Sequence, residues 1–513
     1  MEMFVNNKQK NIGWDIARLF TLAFITRVVM RLLFFVPAKD GLTFIEIAKL
    51  FRSGNFDSAL NYEYHPLYPW LISIFSRFTG DFISAGLLVS MVFATLLVIP
   101  VYMVTFRLFG RKAAVLASIF CIFQPYFLRY SSNILSESLY LFSITMILWM
   151  GVEGIFRKRA KYFVLSSLFA LLAYLTRPEG LGVLLVLCTF LILVPLKTMS
   201  FLKRASYVVL LLLVFSLLAL PYLLVIKENQ GEWRFTQKRR ISSLVGTKIP
   251  LPVFVKPSPE KEEVEKVKEY DEYPLKAAPE RPEGITLVLY GLKDVMKKLL
   301  KGLSIPLVIF SLIGIFLRKS VKRTKMELIL GFSFILYFLV LVMLAMRSYI
   351  SSRHMASIMI MGCIYSGVGV AELPRFMVKF KEKYVLWMVM ILCVIGLSVK
   401  GFKPIGKDKH SRKVVGIWIK RHYPSELIMS SRMSRIPFYA DVEHFDYTDY
   451  KKKYILMEAG SRNVTVAVIN LRDKSEADND LLSLLSEKNS KEVYHKEFNP
   501  KEEIVVYQLR LNE

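Results

Sequence analysis

The residues able to do chemistry fall in five short polar clusters: Asp40, followed by Gly41; His65-Pro66-Leu67-Tyr68-Pro69; Ser136-Glu137-Ser138; Arg177-Pro178-Glu179-Gly180; and Arg353-His354. Carboxylates in such a set can take a proton from an attacking hydroxyl. Arginines can steady a phosphate through parallel N–H donors. The set therefore suits a displacement in which phosphate departs, provided that the fold brings the clusters together.

Most clusters also have a purely structural reading. Asp40, ahead of a helical run, is either a helix cap accepting orphan backbone N–H groups or a general base held at a membrane surface. Arg27 and Arg31 lie four residues apart on one helix face. An arginine facing lipid at that depth costs about 2 to 3 kcal/mol, so both are expected to face the bundle and pair with a carboxylate or anionic ligand, unless Arg31 reaches up to the interface. His65 opens a proline-initiated helix, and capping alone does not demand histidine; it would donate to a phosphate or orient a carboxylate, although a lone histidine is more often structural. Glu137 suits the positive start of a helix as well as an acidic site. Arg177 and Glu179 flank Pro178 in a very short link, where a local ion pair is sufficient explanation. Arg347, Arg353 and His354 differ, because they are cations in links where the charge bias of the chain disfavours them. The planar guanidinium of Arg353, at the mouth of a helix, matches a phosphate.

The elements that must position these residues are membrane helices. The chain has 513 residues, of which 54% are hydrophobic, and its apolar stretches approach the roughly 20 residues a helix needs to cross a bilayer. Spans are expected near 13–36, 82–106, 113–129, 138–156, 162–176, 180–196, 205–226, 303–317, 326–346, 354–373 and 384–400. Alternate links are crowded with cations: Arg107, Arg111 and Lys112; Arg157, Lys158, Arg159 and Lys161; Lys197, Lys203 and Arg204; Arg318, Lys319, Lys322, Arg323 and Lys325; and Arg375, Lys379, Lys381 and Lys383. That parity gives about eleven helices, with a cytoplasmic N-terminus, an extracytoplasmic C-terminus, and all five clusters on the outer side. The net charge of +27 is thus a topology signal and not a mark of nucleic acid. Arg18, Arg27 and Arg31 interrupt the first apolar stretch, so it reads as an uncleaved span of a multi-pass plasma-membrane protein. Cys121, Cys188, Cys363 and Cys393 sit apart within apolar stretches, without metal-ligand spacing or a disulfide framework.

Residues 1–400 form the membrane domain, with external loops at about 37–81 and 227–302, and residues 401–513 a small extracytoplasmic α/β domain. The first loop holds two amphipathic helical pieces, Leu42 to Ser53 and Pro66 to Phe78. The second mixes seven prolines with charged runs and reads as a mobile loop, able to act as a lid. In the last domain, Leu427 to Ser430, Val464 to Asn470 and Ile504 to Leu511 are strand-like, and Asp478 to Lys488 is helical.

Asp40 after the first span, HPLYPWL, Ser-Glu-Ser before a helix, LTRPEGL and SSRHM, in this order and on one side, resemble the GT-C fold membrane glycosyltransferases. The pattern is similar to the protein O-mannosyltransferase and aminoarabinose transferase superfamily, glycosyltransferase family 39-like, including the RgtA/B/C/D-like enzymes. The resemblance is clearest over residues 37–225. It implies transfer of a sugar from a polyprenyl-phosphate-linked donor to a lipid, glycan or protein acceptor on the extracytoplasmic face, with inversion. Asp40 would then hold the catalytic-base position, Glu137 a second acidic position, and Arg353 the lipid phosphate. The protein mannosyltransferases usually carry Asp-Glu at the first site; here Gly41 follows Asp40, a departure that counts against a protein hydroxyl as acceptor.

No cofactor is fixed by the residues. There is no DxD at the first site, yet Asp40 and Glu137 together would suffice to hold a divalent metal ion, so a metal stays open. A transporter of lipid-linked or small sugars would share the spans and outer cations. It should also show internal repeats and midplane charges, and the chain has no detectable repeat. A receptor would need the last domain but not Asp40.

Overall fold

The computed structural model describes residues 2–237, 284–318, 324–347, 350–375, 382–424, 427–430, 433–447, 452–487 and 490–509. The expected lid falls mainly on 238–283 and lies outside the described residues. The membrane domain is helical, and among the described residues five helices are long and apolar enough to cross a bilayer: Phe82–Phe109, Glu137–Arg157, Phe201–Gln230, Lys325–Met346 and Ser352–Glu372. Two bent pairs bring this to seven if each counts as one span, and Ala160–Thr176, Pro178–Leu193 and Trp387–Gly401 are shorter apolar helices. The chain is thus a multi-pass, mostly helical membrane protein.

The bends have identifiable causes. The span expected over 113–129 is instead Arg111–Phe123 and Pro125–Ser131, turned by 61°. Pro125 cannot donate to the preceding turn. The Gln124 side chain accepts from Tyr126 N and Phe127 N at 2.6 and 3.0 Å and so caps a fresh helix start. Its amide donates to Gly302 O at 2.7 Å, pinning one bend against the next. There, Gly284–Leu303 and Ile305–Leu317 meet at 101° around Ser304, whose φ is +78°. The amphipathic stretch with Lys293, Lys297 and Lys298, expected in a loop, is therefore a helix joined to the next span.

Burial identifies the middle of the bundle. In Glu137–Arg157 and Ser352–Glu372, 83% and 78% of the apolar window is buried inside the protein, against 22% in Phe201–Gln230. Leu213, Leu217 and Leu220 of the latter are exposed, as lipid-facing residues should be. The two enclosed helices begin at Glu137 and just ahead of Arg353, so both side chains are fixed by the best-packed parts of the fold.

The segment after the first helix, Glu2–Leu32, holds two surface helices, Lys39–Arg52 and Leu67–Thr79, within a residue or so of expectation at most ends. The C-terminal unit is a five-stranded sheet of order β2-β1-β3-β5-β4, made of β1 (Leu427–Ser430), β2 (His444–Phe445), β3 (Val464–Asn470), β4 (Lys491–Asn499) and β5 (Glu502–Gln508). β1 runs parallel to β2 and β3, while β5 pairs antiparallel with β3 and β4. Helices His410–His422 and Glu476–Glu487 pack against it through Val415, Ile419, Leu481 and Leu485. The unit is stitched to the membrane domain: Phe34 bridges Ile405, Phe35 N donates to Ile405 O at 2.9 Å, and Arg435 Nε donates to Pro37 O at 3.0 Å.

Candidate active site

Asp40 enters the site because its helix is pressed against the turn before Glu137. Ala38 N donates to Asn133 Oδ1 at 3.1 Å, and the same oxygen accepts from Ile134 N at 2.9 Å. At Gly41 the approach is so close that a Cβ would lie 2.9 Å from Ile134 O and 3.1 Å from Ile134 Cβ. A side chain there would push the helix away. The missing carboxylate after Asp40 is thus a packing requirement. Glu137, three residues past Ile134, supplies the second carboxylate from across the contact.

Arg353 joins the two. Its Nη1 donates to Asp40 Oδ2 at 2.9 Å, and its Nη2 and Nε donate to Glu137 Oε1 at 2.6 and 2.8 Å. Arg177 Nη1 also donates to Glu137 Oε1, at 3.1 Å, and its other end lies 3.5 Å from Glu179. Side-chain exposure divides the set: Glu137 is 2% exposed, Asp40 33% and Arg353 35%. Glu137 is a sealed counter-charge, whereas Asp40 and Arg353 can be reached from outside. Burial works against the charge of Arg177, yet Glu179 and Glu137 hold its guanidinium protonated beyond the usual range.

A second layer of hydroxyls supports these groups. Tyr140 OH donates to Tyr337 OH at 3.1 Å and meets Ser357 Oγ at 3.1 Å, Tyr337 OH donates to Glu179 O at 2.9 Å, and Arg177 lies over the Tyr140 ring at 5.6 Å. Gly180 allows this tight link, since a Cβ there would fall 2.4 Å from the Ala173 carbonyl carbon. Tyr64 stands beside Asp40; burial first, and then the charges of Asp40 and Glu63, push its phenol up to about 12, so it stays protonated. The sequence offered a signal for Tyr140, which follows Glu137 by three residues on one helix face. Nothing in the sequence pointed to Asn133, Tyr337 or Ser357.

The remaining candidates make no hydrogen bond to Asp40 or Glu137 among the described contacts. His65 is 2% exposed, with Nε2 3.1 Å from Thr236 Oγ1 and its ring packed edge-on to Tyr174 and Tyr222, which anchors the chain near residue 236. His354 Nδ1 accepts from Ser351 N at 2.9 Å, closing the cap ahead of the helix Ala356–Glu372. Arg27 is fully buried, as expected of an inward-facing residue, but it donates to Ile122 O at 2.6 Å and to Thr26 Oγ1 at 3.0 Å and not to a carboxylate. Arg31 lies 5.5 Å from the Phe34 ring centre. Arg347 ends the helix Leu328–Arg347, and its side chain lies outside the described residues.

Among the described residues no three His, Cys, Asp or Glu side chains gather as a metal site. Asp40 and Glu137 are bridged by the Arg353 guanidinium, which a metal held by this pair would have to displace.

Comparison with known proteins bears on the family and the fold. Residues 64–223 match the family model described as dolichyl-phosphate-mannose-protein mannosyltransferase. No curated protein matches this sequence. Among solved structures, ArnT from Cupriavidus metallidurans in the apo state is 13% identical with a TM-score of 0.58, covering 98% of each chain. The same protein bound to undecaprenyl phosphate, also 13% identical, gives 0.59 over 96% of this chain and 98% of that one. The Archaeoglobus fulgidus oligosaccharyltransferase in complex with zinc and sulfate is 15% identical, with a TM-score of 0.60 over 88% of this chain and 68% of its own. With a family match over residues 64–223 and a shared fold over nearly its whole length, the chain is a GT-C fold membrane protein that is similar, over that stretch, to the dolichyl-phosphate-mannose-protein mannosyltransferases.

Proposed function

We propose that this protein is a glycosyltransferase that moves a sugar from a polyprenyl-phosphate-linked donor to a hydroxyl of a lipid, glycan or protein acceptor on the extracytoplasmic face. The observation that carries the reading is one guanidinium, Arg353, bonded to the exposed Asp40 and the sealed Glu137 at the mouth of the two most enclosed helices. Two related structures, bound to undecaprenyl phosphate and to dolichol-phosphate, support a lipid phosphate as the leaving group. About eleven spans, a cytoplasmic N-terminus and an extracytoplasmic unit at 401–513 complete the reading.

In the reaction, Asp40 takes the proton of the acceptor hydroxyl as its oxygen forms a bond to the anomeric carbon. The bond from that carbon to the phosphate oxygen breaks, and its electron pair leaves with polyprenyl phosphate, which Arg353 stabilises. Attack opposite the leaving group inverts the anomeric centre. Arg353 also acts as a latch. Before donor binds, its Nη1 engages the Asp40 oxygen needed as base. A donor phosphate competes for that N–H and frees the carboxylate, so the base is exposed only when a donor is present. Glu137 and Arg177 are positioning residues that hold Arg353 in place.

The test is release of polyprenyl phosphate, and sugar transfer, by purified protein in lipid from a panel of polyprenyl-phosphate sugars, with membrane extract as acceptor source. Wild type is expected to release and transfer, and folded Asp40→Asn to do neither. Equal activity of the two proteins would remove Asp40 from the mechanism, and inactivity of wild type on every donor would sink the transferase reading.

A further inference from the structure

A second feature of the fold lies outside the carboxylate site. Between the membrane helices and the C-terminal sheet is a cavity of about 1100 Å³, lined by six cationic and three acidic residues. Its cations are of two kinds. Arg412 is tied to Glu502 at 2.9 Å, Arg472 to Glu503 at 2.7 Å, and Lys409 lies 3.8 Å from Asp408. Lys403, Lys407 and Lys501, by contrast, have no acidic partner among the described residues, and all three are exposed. The start of the thirteen-residue helix His410–His422, which continues from the turn Lys407–Lys409, opens on the same space with no side chain capping it, adding a partial positive charge. Phe35 and Phe498 provide apolar walls.

The position of the cavity narrows its ligand. Phe35 follows the end of the helix Glu2–Leu32 by three residues, and Lys403 follows the end of Glu382–Gly401 by two. The mouth thus lies at the level where helices leave the bilayer and head groups sit. Leading up to it, Trp387, Ile391, Leu392, Ile395 and Val399 are exposed apolar residues on one helix. Acyl chains can lie along that face while a charged head group turns inward. We propose that this cavity is a binding site for a phosphate-type anion, delivered as the head group of an anionic membrane lipid, held by Lys403, Lys407, Lys501 and the start of the helix His410–His422. The site stands on this geometry alone and is independent of the transferase reading.

Lysine acylation on the full-length protein in detergent tests it, with Lys158, which does not line the cavity, as internal reference. The probes are dioctanoyl phosphatidate, dioctanoyl phosphatidylcholine and inorganic phosphate. Phosphatidate is expected to slow acylation of Lys403, Lys407 and Lys501 several-fold while phosphatidylcholine does not. Protection by inorganic phosphate at the same concentration would keep the anion site and assign it to a free ion. In K407Q, protection of Lys403 and Lys501 by phosphatidate should weaken, with the melting temperature unchanged. Native mass spectrometry of K403Q/K407Q/K501Q should show one retained phosphatidate fewer than wild type. No protection by either anion, or equal protection by phosphatidylcholine, would overturn the proposal.

Discussion

Glu137 and Arg353, 216 positions apart in the chain, meet at 2.6 Å with only the arginine open to solvent. The glutamate is a fixed counter-charge and the arginine a movable one. That asymmetry governs what each substitution should do.

Glu137→Gln removes the charge that Arg353 and Arg177 share. Breaking a buried pair by deleting one partner costs about 3 to 5 kcal/mol, so a clear fall in melting temperature of the detergent-solubilised protein is expected along with lost transfer. An unchanged melting curve would show that Glu137 does not hold the site together.

Asp40→Asn should leave the melting temperature near wild type and donor binding as tight or tighter, because the phosphate no longer competes with a carboxylate for Arg353, while transfer falls about 10²- to 10⁴-fold, the range of a lost general base. If donor affinity falls in the same proportion, Asp40 is a binding group and the base lies elsewhere.

Arg353→Lys keeps the charge but not the fork that reaches two carboxylates at once. Loss of one charge-assisted hydrogen bond, worth about 1.5 to 3 kcal/mol, should slow transfer about ten- to a hundred-fold. Steady-state kinetics over donor concentration would check this, and a rate equal to wild type would mean that charge alone suffices.

Gly41→Glu would restore the Asp-Glu pair usual in the protein mannosyltransferases, yet it should damage this protein. The new Cβ would meet Ile134 O, and relieving such overpacking costs about 1 to 3 kcal/mol. Reduced stability and reduced transfer are expected together; a stable and fully active variant would refute the packing account.

The C-terminal unit should loosen in acid. Burial lowers the His444 pKa from its ordinary value, against the charge of Asp446 and with a smaller contribution from Lys39. A histidine depressed in the folded state binds fewer protons there than when unfolded. Its stabilisation is complete above about pH 6.5 and is lost as pH falls through that value towards the folded pKa. Protection factors for hydrogen exchange at β1 and β2 in the whole protein, taken against the intrinsic rate at each pH, should therefore fall between about pH 7.5 and about pH 5.5. His444→Gln should flatten that dependence.

Much of the molecule was legible in the sequence, for local reasons. The strands at 427–430 and 464–470 and the two surface helices near Asp40 follow from short-range periodicity. The clusters carrying Asp40, Glu137, Arg177 and Arg353 do converge, because helix ends on one side of a bundle share one surface. The break at Pro125 was missed because the apolar run continues through it, and the bend depends on Gln124 turning its side chain back to cap the next helix. His65 looked chemical from its motif and proved to be packed among aromatic rings, a fact set by Tyr174 and Tyr222 far away in sequence. Tyr337 could not be found for the same reason: its role is a bond to the Glu179 carbonyl across 158 positions.

The stitching of Phe34 and Phe35 to Ile405, and of Arg435 to Pro37, has a mechanical meaning. Asp40 hangs on a short strap whose far anchor belongs to the last third of the chain. Cutting the chain near residue 401 would release that anchor, so truncation should slacken the strap and blunt Asp40 even if the sheet never touches a substrate. Exchange of this unit with that of a related protein is then expected to succeed only when the counterparts of Ile405 and Arg435 travel with it.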